Sequence, residues 1–133
     1  MNTHSFTSLL RQALVDSQPG LNIYTPVMAD NRSLPYALLT LYSGEEKIPR
    51  NHTWECELEI QVHTNAHDQS EETARQFLSG IQRLVLTPAL LESLNKSAED
   101  FFLYRIALLA VDAPQAMDNT FIQTARFRVM IQF

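Results

Sequence analysis

Three glutamates alternate with apolar residues in the stretch TWECELEIQVHT, and their spacing is the first feature that could support chemistry. Glu55, Glu57 and Glu59 fall on one side of an extended chain, while the residues between them fall on the other. Alternate strand residues lie about 6.5–7 Å apart along one face, so the carboxylates form a ladder rather than a close dyad. General acid–base catalysis needs groups whose pKa values differ, and no pattern around the ladder predicts that. We therefore expect a polar strand face and no catalytic residue.

Two histidines raise the question of a metal site. His63 and His67 are four residues apart, and Asp68 follows the second one. Four-residue spacing suits metal ligands on a helix, but these histidines lie across the end of a strand and the start of a loop. The single cysteine, Cys56, belongs to the apolar side of the strand and supplies no second ligand pair. Ordinary loop histidines are the favoured interpretation, and a weak surface metal site is the alternative.

The composition argues against several other functions. The chain has a formal charge of −5, and its 10 basic residues are not clustered, so a nucleic-acid-binding surface is not expected. Only three scattered glycines are present, which excludes a glycine-rich phosphate loop, and no serine lies in a hydrolase-type elbow. We expect no enzyme activity and no cofactor. The aromatic residues are predicted to belong to the core; these are Trp54, Tyr36, Tyr42, Phe101 and Phe102.

Hydrophobic periodicity predicts the elements that precede and follow the ladder. An amphipathic helix begins the chain and stops at the sequence SQPG, and a short extended piece at residues 21–24 is followed by a loop at 29–33. Residues 35–42 form a strand, 43–52 a mobile solvent-exposed arm, and 53–64 the ladder strand. Asp68 or Ser70 provides an N-cap signal for a helix that runs to about Leu86 and packs on the apolar side of the ladder strand.

The second half of the chain is predicted to contain one short helix and two strands. The helix spans residues 88–94 and a turn spans 95–100. The run FFLYRIALLAV is typical of a central, covered strand. A loop at residues 112–119 leads to the last strand at 120–133.

These elements predict one α+β domain over residues 1–133, in the order α-β-β-α-α-β-β. Its mostly antiparallel sheet has about four strands, and the two main helices pack on one face. If the last strand lies beside the ladder strand, the glutamates pair with arginines across the sheet. The arginines available for this pairing are Arg105, Arg126 and Arg128.

Two features bear on the compartment. A lone cysteine cannot form an internal disulfide, which fits a reducing environment. The longest uniformly apolar run covers only residues 106–111, which is too short to span a bilayer, so no membrane association is expected.

The whole pattern resembles the tail terminator and tail completion proteins, or minor tail proteins, of long-tailed bacteriophages. The residues that carry the resemblance are the N-terminal helix ending in SQPG, PYALLTLYSGEE before an exposed loop, and TWECELEIQVHT followed by SEETARQFLSGIQRLVL. A short helix and two closing strands that end in ARFRVMIQF complete it.

The resemblance implies a virion structural protein with no active site. Such a subunit forms a homo-oligomeric ring, commonly a hexamer, that caps the tail tube protein, stops tube polymerisation and presents a surface for the head-completion or connector protein. DNA passes through the lumen without specific binding. The protein then belongs to the virion tail, and to the host cytoplasm during assembly. The alternatives are a head–tail connector or minor tail subunit of the same fold, or a small bacterial ligand- or metal-binding domain.

The ring hypothesis assigns candidate contact residues to two groups. The ladder glutamates and the three arginines form a candidate face toward the lumen or a neighbouring subunit. The candidate loops for contact with the tube or the connector carry Glu45, Glu46, Lys47, Arg50, Asp112, Gln115 and Asp118. An unpaired sheet edge that adds to a neighbour's sheet is a further candidate.

Overall fold

The computed structural model of the protein describes residues 3–28, 31–65 and 71–133. Within these residues a single sheet carries helices on one face. The helices are α1 (His4–Ser17), α2 (Glu71–Val85) and α3 (Pro88–Ser97), with a short 3-10 helix at Pro49–Asn51. The strands are β1 (Asn22–Tyr24), β2 (Tyr36–Ile48), β3 (Thr53–Asn65), β4 (Phe102–Val111), β5 (Gln115–Met117) and β6 (Thr120–Gln132).

The sheet has the strand order β1-β2-β3-β6-β4, and β5 pairs with the first residues of β6. Only the short β1 runs parallel to its neighbour, and the other pairs are antiparallel. The two central strands, β3 and β6, pair along their full lengths from Thr53 and Gln132 to Asn65 and Thr120. The predicted α+β class and mostly antiparallel sheet are confirmed, with two short strands, β1 and β5, beyond the predicted four.

The core lies between the helices and the apolar side of β3 and β6. Strict alternation in β3 buries Leu58, Ile60 and Val62 completely, and α2 places Leu78 and Ile81 against the same layer. Full burial of one such side chain stabilises the fold by about 1.5–3 kcal/mol. The prediction that α2 packs on the apolar side of the ladder strand is confirmed.

Helix α1 covers the neighbouring part of this layer. Phe6, Leu10 and Leu14 recur every four residues and are completely buried. The helix ends at Ser17, as predicted, before Gly20 adopts a left-handed φ of 85°. Phe6 also packs edge-on against Phe101, with ring centroids 5.7 Å apart, which joins α1 to the start of β4.

The predicted mobile arm at residues 43–52 is wrong. The chain continues as β2 to Ile48, turns through the 3-10 helix and returns directly into β3. A β-bulge between Tyr42 and Glu45 allows the polar segment to remain paired. Gly44 lies in this bulge, where an added Cβ would overlap the carbonyl oxygen of Glu55, so the missing side chain permits the close approach.

The prediction of a central, covered strand at residues 101–111 is also wrong. Strand β4 is the edge strand next to β6, and most of its side chains are exposed. Bulges after Leu103 and after Leu108 interrupt the alternation of its side chains between the two faces, and most of its exposed residues are themselves apolar. The physical reason is that β6, and not β4, fills the position between the ladder strand and the edge.

Two smaller boundaries differ from the predictions. Helix α3 continues to Ser97, so residues 95–97 are helical and not part of a turn. Residues 112–119 are not a plain loop, because they contain β5 and a tight turn in which Asp118 has a left-handed φ of 54°. The predicted cap of α2, with Asp68 and Ser70, lies outside the described residues, and the predicted loop at 29–33 lies partly outside them.

The predicted burial of the aromatic residues is confirmed for part of the set. Phe101 is buried, and Trp54 is partly buried against the core. Tyr42 and Phe102 are both 47% exposed, because one points from the outer face of β2 and the other from the edge strand. Tyr36 is half-buried on the face opposite the helices.

Candidate interaction surface

The face of the sheet opposite the helices carries the acidic ladder, and none of the described helices packs on it. Cα register places Glu57 opposite Arg128 and Glu59 opposite Arg126. The predicted neighbourhood of glutamates and arginines is therefore confirmed for β3 and β6. We call this surface the open face; it consists of the outward residues of β2, β3, β6 and β4, with Asp112 directly after β4.

The ion pairs on the open face are diagonal rather than directly across the strands. Arg128 Nε donates to Glu55 Oε1 at 2.6 Å, and Lys47 Nζ lies 3.6 Å from the other oxygen of this carboxylate. Arg126 instead donates to Asp112, with Nη2 3.1 Å from Oδ2. Asp112, predicted as a loop contact, thus belongs to the open face.

Glutamine and histidine side chains continue the polar row along β3. Gln61 Nε2 donates to Glu59 Oε1 at 3.0 Å, and His63 Nε2 lies 3.1 Å from Gln61 Oε1. The imidazole stacks on Tyr36, with ring centroids 4.4 Å apart and planes 14° from parallel. Burial, assisted by the charge of Arg32, lowers the pKa of His63 below its ordinary value of 6.5. The row therefore ends in a histidine that favours its neutral form.

Three charged residues of the open face have no ion-pair partner among the described residues. They are Glu57 and Glu59 on β3 and Arg105 on β4. Arg105 is exposed and is the single charged residue in the sequence of β4. Their charges remain available to a partner.

The predicted contact loops lie at opposite ends of the sheet. Glu45, Glu46 and Lys47 belong to the last part of β2, and Arg50 to the 3-10 helix beside the start of β3. Gln115 and Asp118 lie near the other end of β3, where β5 and β6 form their turn. The structure therefore separates these residues into two groups.

The charge at the first end is partly neutralised within the chain. Lys47 Nζ donates to Glu45 Oε2 at 3.1 Å, and this hydrogen bond, with the charges of Glu45 and Glu55, raises the pKa of Lys47. His52 Nδ1 lies 3.9 Å from Glu46 Oε2. Arg50 is exposed. This end presents mixed charge.

Sequence reasoning missed the apolar edge of the molecule. Large side chains of β4 are between 41% and 47% exposed, although they are apolar or aromatic; they are Phe102, Tyr104, Leu108, Leu109 and Val111. The signal was present as an almost uncharged strand, but an uninterrupted apolar run does not distinguish a buried strand from an edge that another chain covers.

The described residues give little support for a metal site at the histidines or for a reactive thiol at Cys56. Within the described parts of the chain, no group of three or more His, Cys, Asp or Glu side chains could hold a metal ion. His67 and Asp68, the proposed partners of His63, lie outside them. Cys56 is buried on the core side, and burial raises the pKa of its thiol, which disfavours the reactive thiolate.

A search of the described helices for a membrane span found none with the necessary length and apolar character.

Comparisons with known proteins identify a shared fold. No protein-family model matches the sequence, and no curated protein matches it. A solved structure titled "Virion of native gene transfer agent (GTA) particle" contains a chain with a TM-score of 0.67. The alignment covers 91% of this chain and 83% of that chain at 15% sequence identity. This chain therefore has the fold of a subunit found in that virion structure.

Proposed function

We propose that this protein is a structural subunit of a phage-like virion, and that it forms a ring at the end of the tail tube. The observation that carries the proposal is the fold shared with a chain of the gene transfer agent virion over 91% of this chain and 83% of that chain. Apart from the short strands β1 and β5 and the short 3-10 helix, the elements also follow the order α-β-β-α-α-β-β on which the resemblance to tail terminators rests.

The positions of the contact residues support a subunit that meets different partners on opposite sides. A ring at the end of a tube contacts the tube protein on one side and the head-completion or connector protein on the other. The end with Glu45, Lys47 and Arg50 and the end with Gln115 and Asp118 are separated by the length of β3. We assign one end to each partner.

We assign the open face to the lumen of the ring. The helices present polar residues outward, for example Arg75 and Arg83 of α2, and suit an outer surface. DNA that passes the open face meets glutamates interspersed with arginines, so the phosphate backbone is not retained by a continuous basic wall. A passage without specific binding follows from this arrangement.

A head–tail connector or minor tail subunit of the same fold is the closest alternative. The terminator proposal predicts binding to the end of the finished tube, whereas a connector binds the head without a tube. The ligand- or metal-binding alternative depends on His67 and Asp68, which the structure does not describe. A virion role places the protein in the tail, and in the host cytoplasm during assembly.

Electron microscopy of negatively stained tubes tests the proposal. Tail tube protein from the same genome is polymerised with and without this chain. We expect rings at tube ends and shorter tubes as the concentration of the chain rises. Tubes of unchanged length with bare ends, at micromolar concentrations of the chain, would contradict a terminator role.

A further inference from the structure

The sheet has two open edges, one on β2 and one on β4. The unpaired segments of these edges lie opposite the same residues of the central strands β3 and β6. Strand β1 covers β2 only at residues 36–38, so the outer edge of residues 39–48 has no described partner. On the other side, β6 is the only strand of the described residues that pairs with β4. An open edge is a template for pairing with another strand, and proteins usually block it.

One end of the β4 edge is already occupied. Asn95 of α3 accepts a hydrogen bond from the backbone nitrogen of Leu103 at 2.6 Å and donates to the carbonyl oxygen of Leu103 at 2.9 Å. Beyond β4, Pro114 has no amide hydrogen to donate. The open part of this edge is therefore the segment of residues 105–111.

Cross-strand registers show that this segment is level with the open part of β2. One row of Cα partners joins Arg105, Met130, Glu55 and Glu45. Another joins Val111, Ala125, Ile60 and Leu39. Residues 105–111 and 39–45 therefore span the same rows, and each segment contains one bulge.

The strand directions are compatible with head-to-tail pairing. Because β2 and β6 both run antiparallel to β3, and β4 runs antiparallel to β6, β4 and β2 run in opposite directions. Rotation of a second copy about an axis along the strands brings its β2 beside β4 as an antiparallel neighbour. Such a contact uses two different edges and closes into a ring when the rotation closes.

The charges along the two edges also favour a second copy of the chain as the partner of β4. Arg105, the single charge of β4, lies in the row that ends at Glu45, beside Glu46. Between the ends the β4 edge is apolar, and the outward Ala107 and Ala110 leave room for the larger Tyr42 and Thr40 of the same rows.

We propose that residues 105–111 of one subunit pair antiparallel with residues 39–45 of a second copy of this chain, making one continuous sheet around the ring. The pairing rests on the proposed ring and specifies which edges form it. The contact keeps this register or is displaced by two residues along β2 through the tilt of the strands in a closed sheet, and both registers keep the open faces aligned.

Disulfide crosslinking tests the pairing directly. The double variant Ala110→Cys with Thr40→Cys places two thiols in the same row. The double variant Ala110→Cys with Tyr42→Cys tests the register that is displaced by two residues along β2. The native Cys56 is buried and gives little background. Under mild oxidation we expect crosslinked oligomers larger than a dimer from at least one double variant, and none from the single variants.

The possible outcomes separate this pairing from the ring itself. A dimer formed by Ala110→Cys alone would show that two β4 edges meet each other and would overturn the proposal. An assembled ring with no crosslinks in either double variant would also overturn it and leave the proposed function intact. A wild-type chain that remains a monomer at micromolar concentration, both alone and with the tail tube protein, would overturn both.

Charge exchange gives an independent test. Arg105→Glu is expected to raise the concentration needed for half-assembly by about tenfold, and addition of Glu45→Arg is expected to restore it partly. Arg83→Glu makes the same charge change on the exposed side of α2 and serves as the control. Equal assembly of the Arg105→Glu and Arg83→Glu variants would count against the contact.

Discussion

The two faces of the central strands are built from neighbouring residues and differ in almost every physical respect. On one face of β3 and β6, Leu58 and Phe127 are completely buried in the core. On the other face, Glu57 and Arg128 lie one residue away and remain accessible to solvent. The same backbone hydrogen bonds support both faces.

The packed face determines the stability of the fold, whereas the open face contributes little to it. Apolar burial stabilises the fold, while an exposed ion pair contributes only about 0.2–1 kcal/mol. The open face can therefore change its charges with little cost to folding. It is the part of the sheet whose side chains can change while the core stays the same.

The largest expected effect is on the packed face. Phe127→Ala removes a completely buried ring and is expected to lower the free energy of unfolding by about 3–5 kcal/mol. Chemical denaturation measures this loss. The neighbouring Arg126→Ala is the control and is expected to cost no more than about 1 kcal/mol, because its ion pair with Asp112 is partly exposed. Equal losses would contradict the distinction between the faces.

The second effect concerns the bulge that keeps the end of β2 in the sheet. Gly44→Ala places a methyl group against the backbone of Glu55 and is expected to destabilise the fold by about 1–3 kcal/mol. The exposed neighbour Ser43→Ala is the control. If residues 43–48 were a mobile arm, Gly44→Ala would leave the denaturation midpoint unchanged.

A smaller effect is expected for the shortest ion pair of the open face. A double-mutant cycle with Glu55→Ala and Arg128→Ala is expected to give a coupling free energy of about 0.2–1 kcal/mol that decreases with added salt. A coupling of several kcal/mol, insensitive to salt, would show that the open face contributes to stability as the core does.

The smallest expected effect is a pH dependence at the end of the polar row. Since the pKa of His63 is lowered in the folded protein, the unfolded chain takes up its proton first as the pH falls below about 6.5. Stability is therefore lost as the pH falls from 6.5 through the folded pKa. His63→Gln should flatten this part of the stability profile relative to wild type, and an unchanged slope would contradict the role of burial.

Sequence periodicity predicted those elements whose hydrophobic pattern fits only one type of secondary structure with one buried side. Strict alternation from Trp54 to Val62 and the helical stripe from Ala74 to Val85 each bury one side, so their packing could be inferred. The glutamates and arginines of the open face followed from the same alternation. Their individual partners did not, because long side chains select among several neighbours, as Arg126 does in binding Asp112.

The two wrong predictions, the mobile arm and the central strand, concern segments whose amino-acid composition is not typical of their position in the sheet. The polar residues Ser43–Lys47 read as a loop, although a glycine at a bulge lets them extend β2. The apolar β4 reads as central, although β6 occupies that position. An edge strand with exposed apolar side chains has the same composition as a buried strand, so a single sequence cannot distinguish them.

Native mass spectrometry of the purified chain at micromolar concentration tests the central claim most directly. The proposal predicts a closed assembly with a mass that is an integer multiple of 15.2 kDa, commonly six, and a smaller fraction of that species for Arg105→Glu at the same concentration. A monomer that persists at these concentrations, both alone and with the tail tube protein, would contradict the proposed ring.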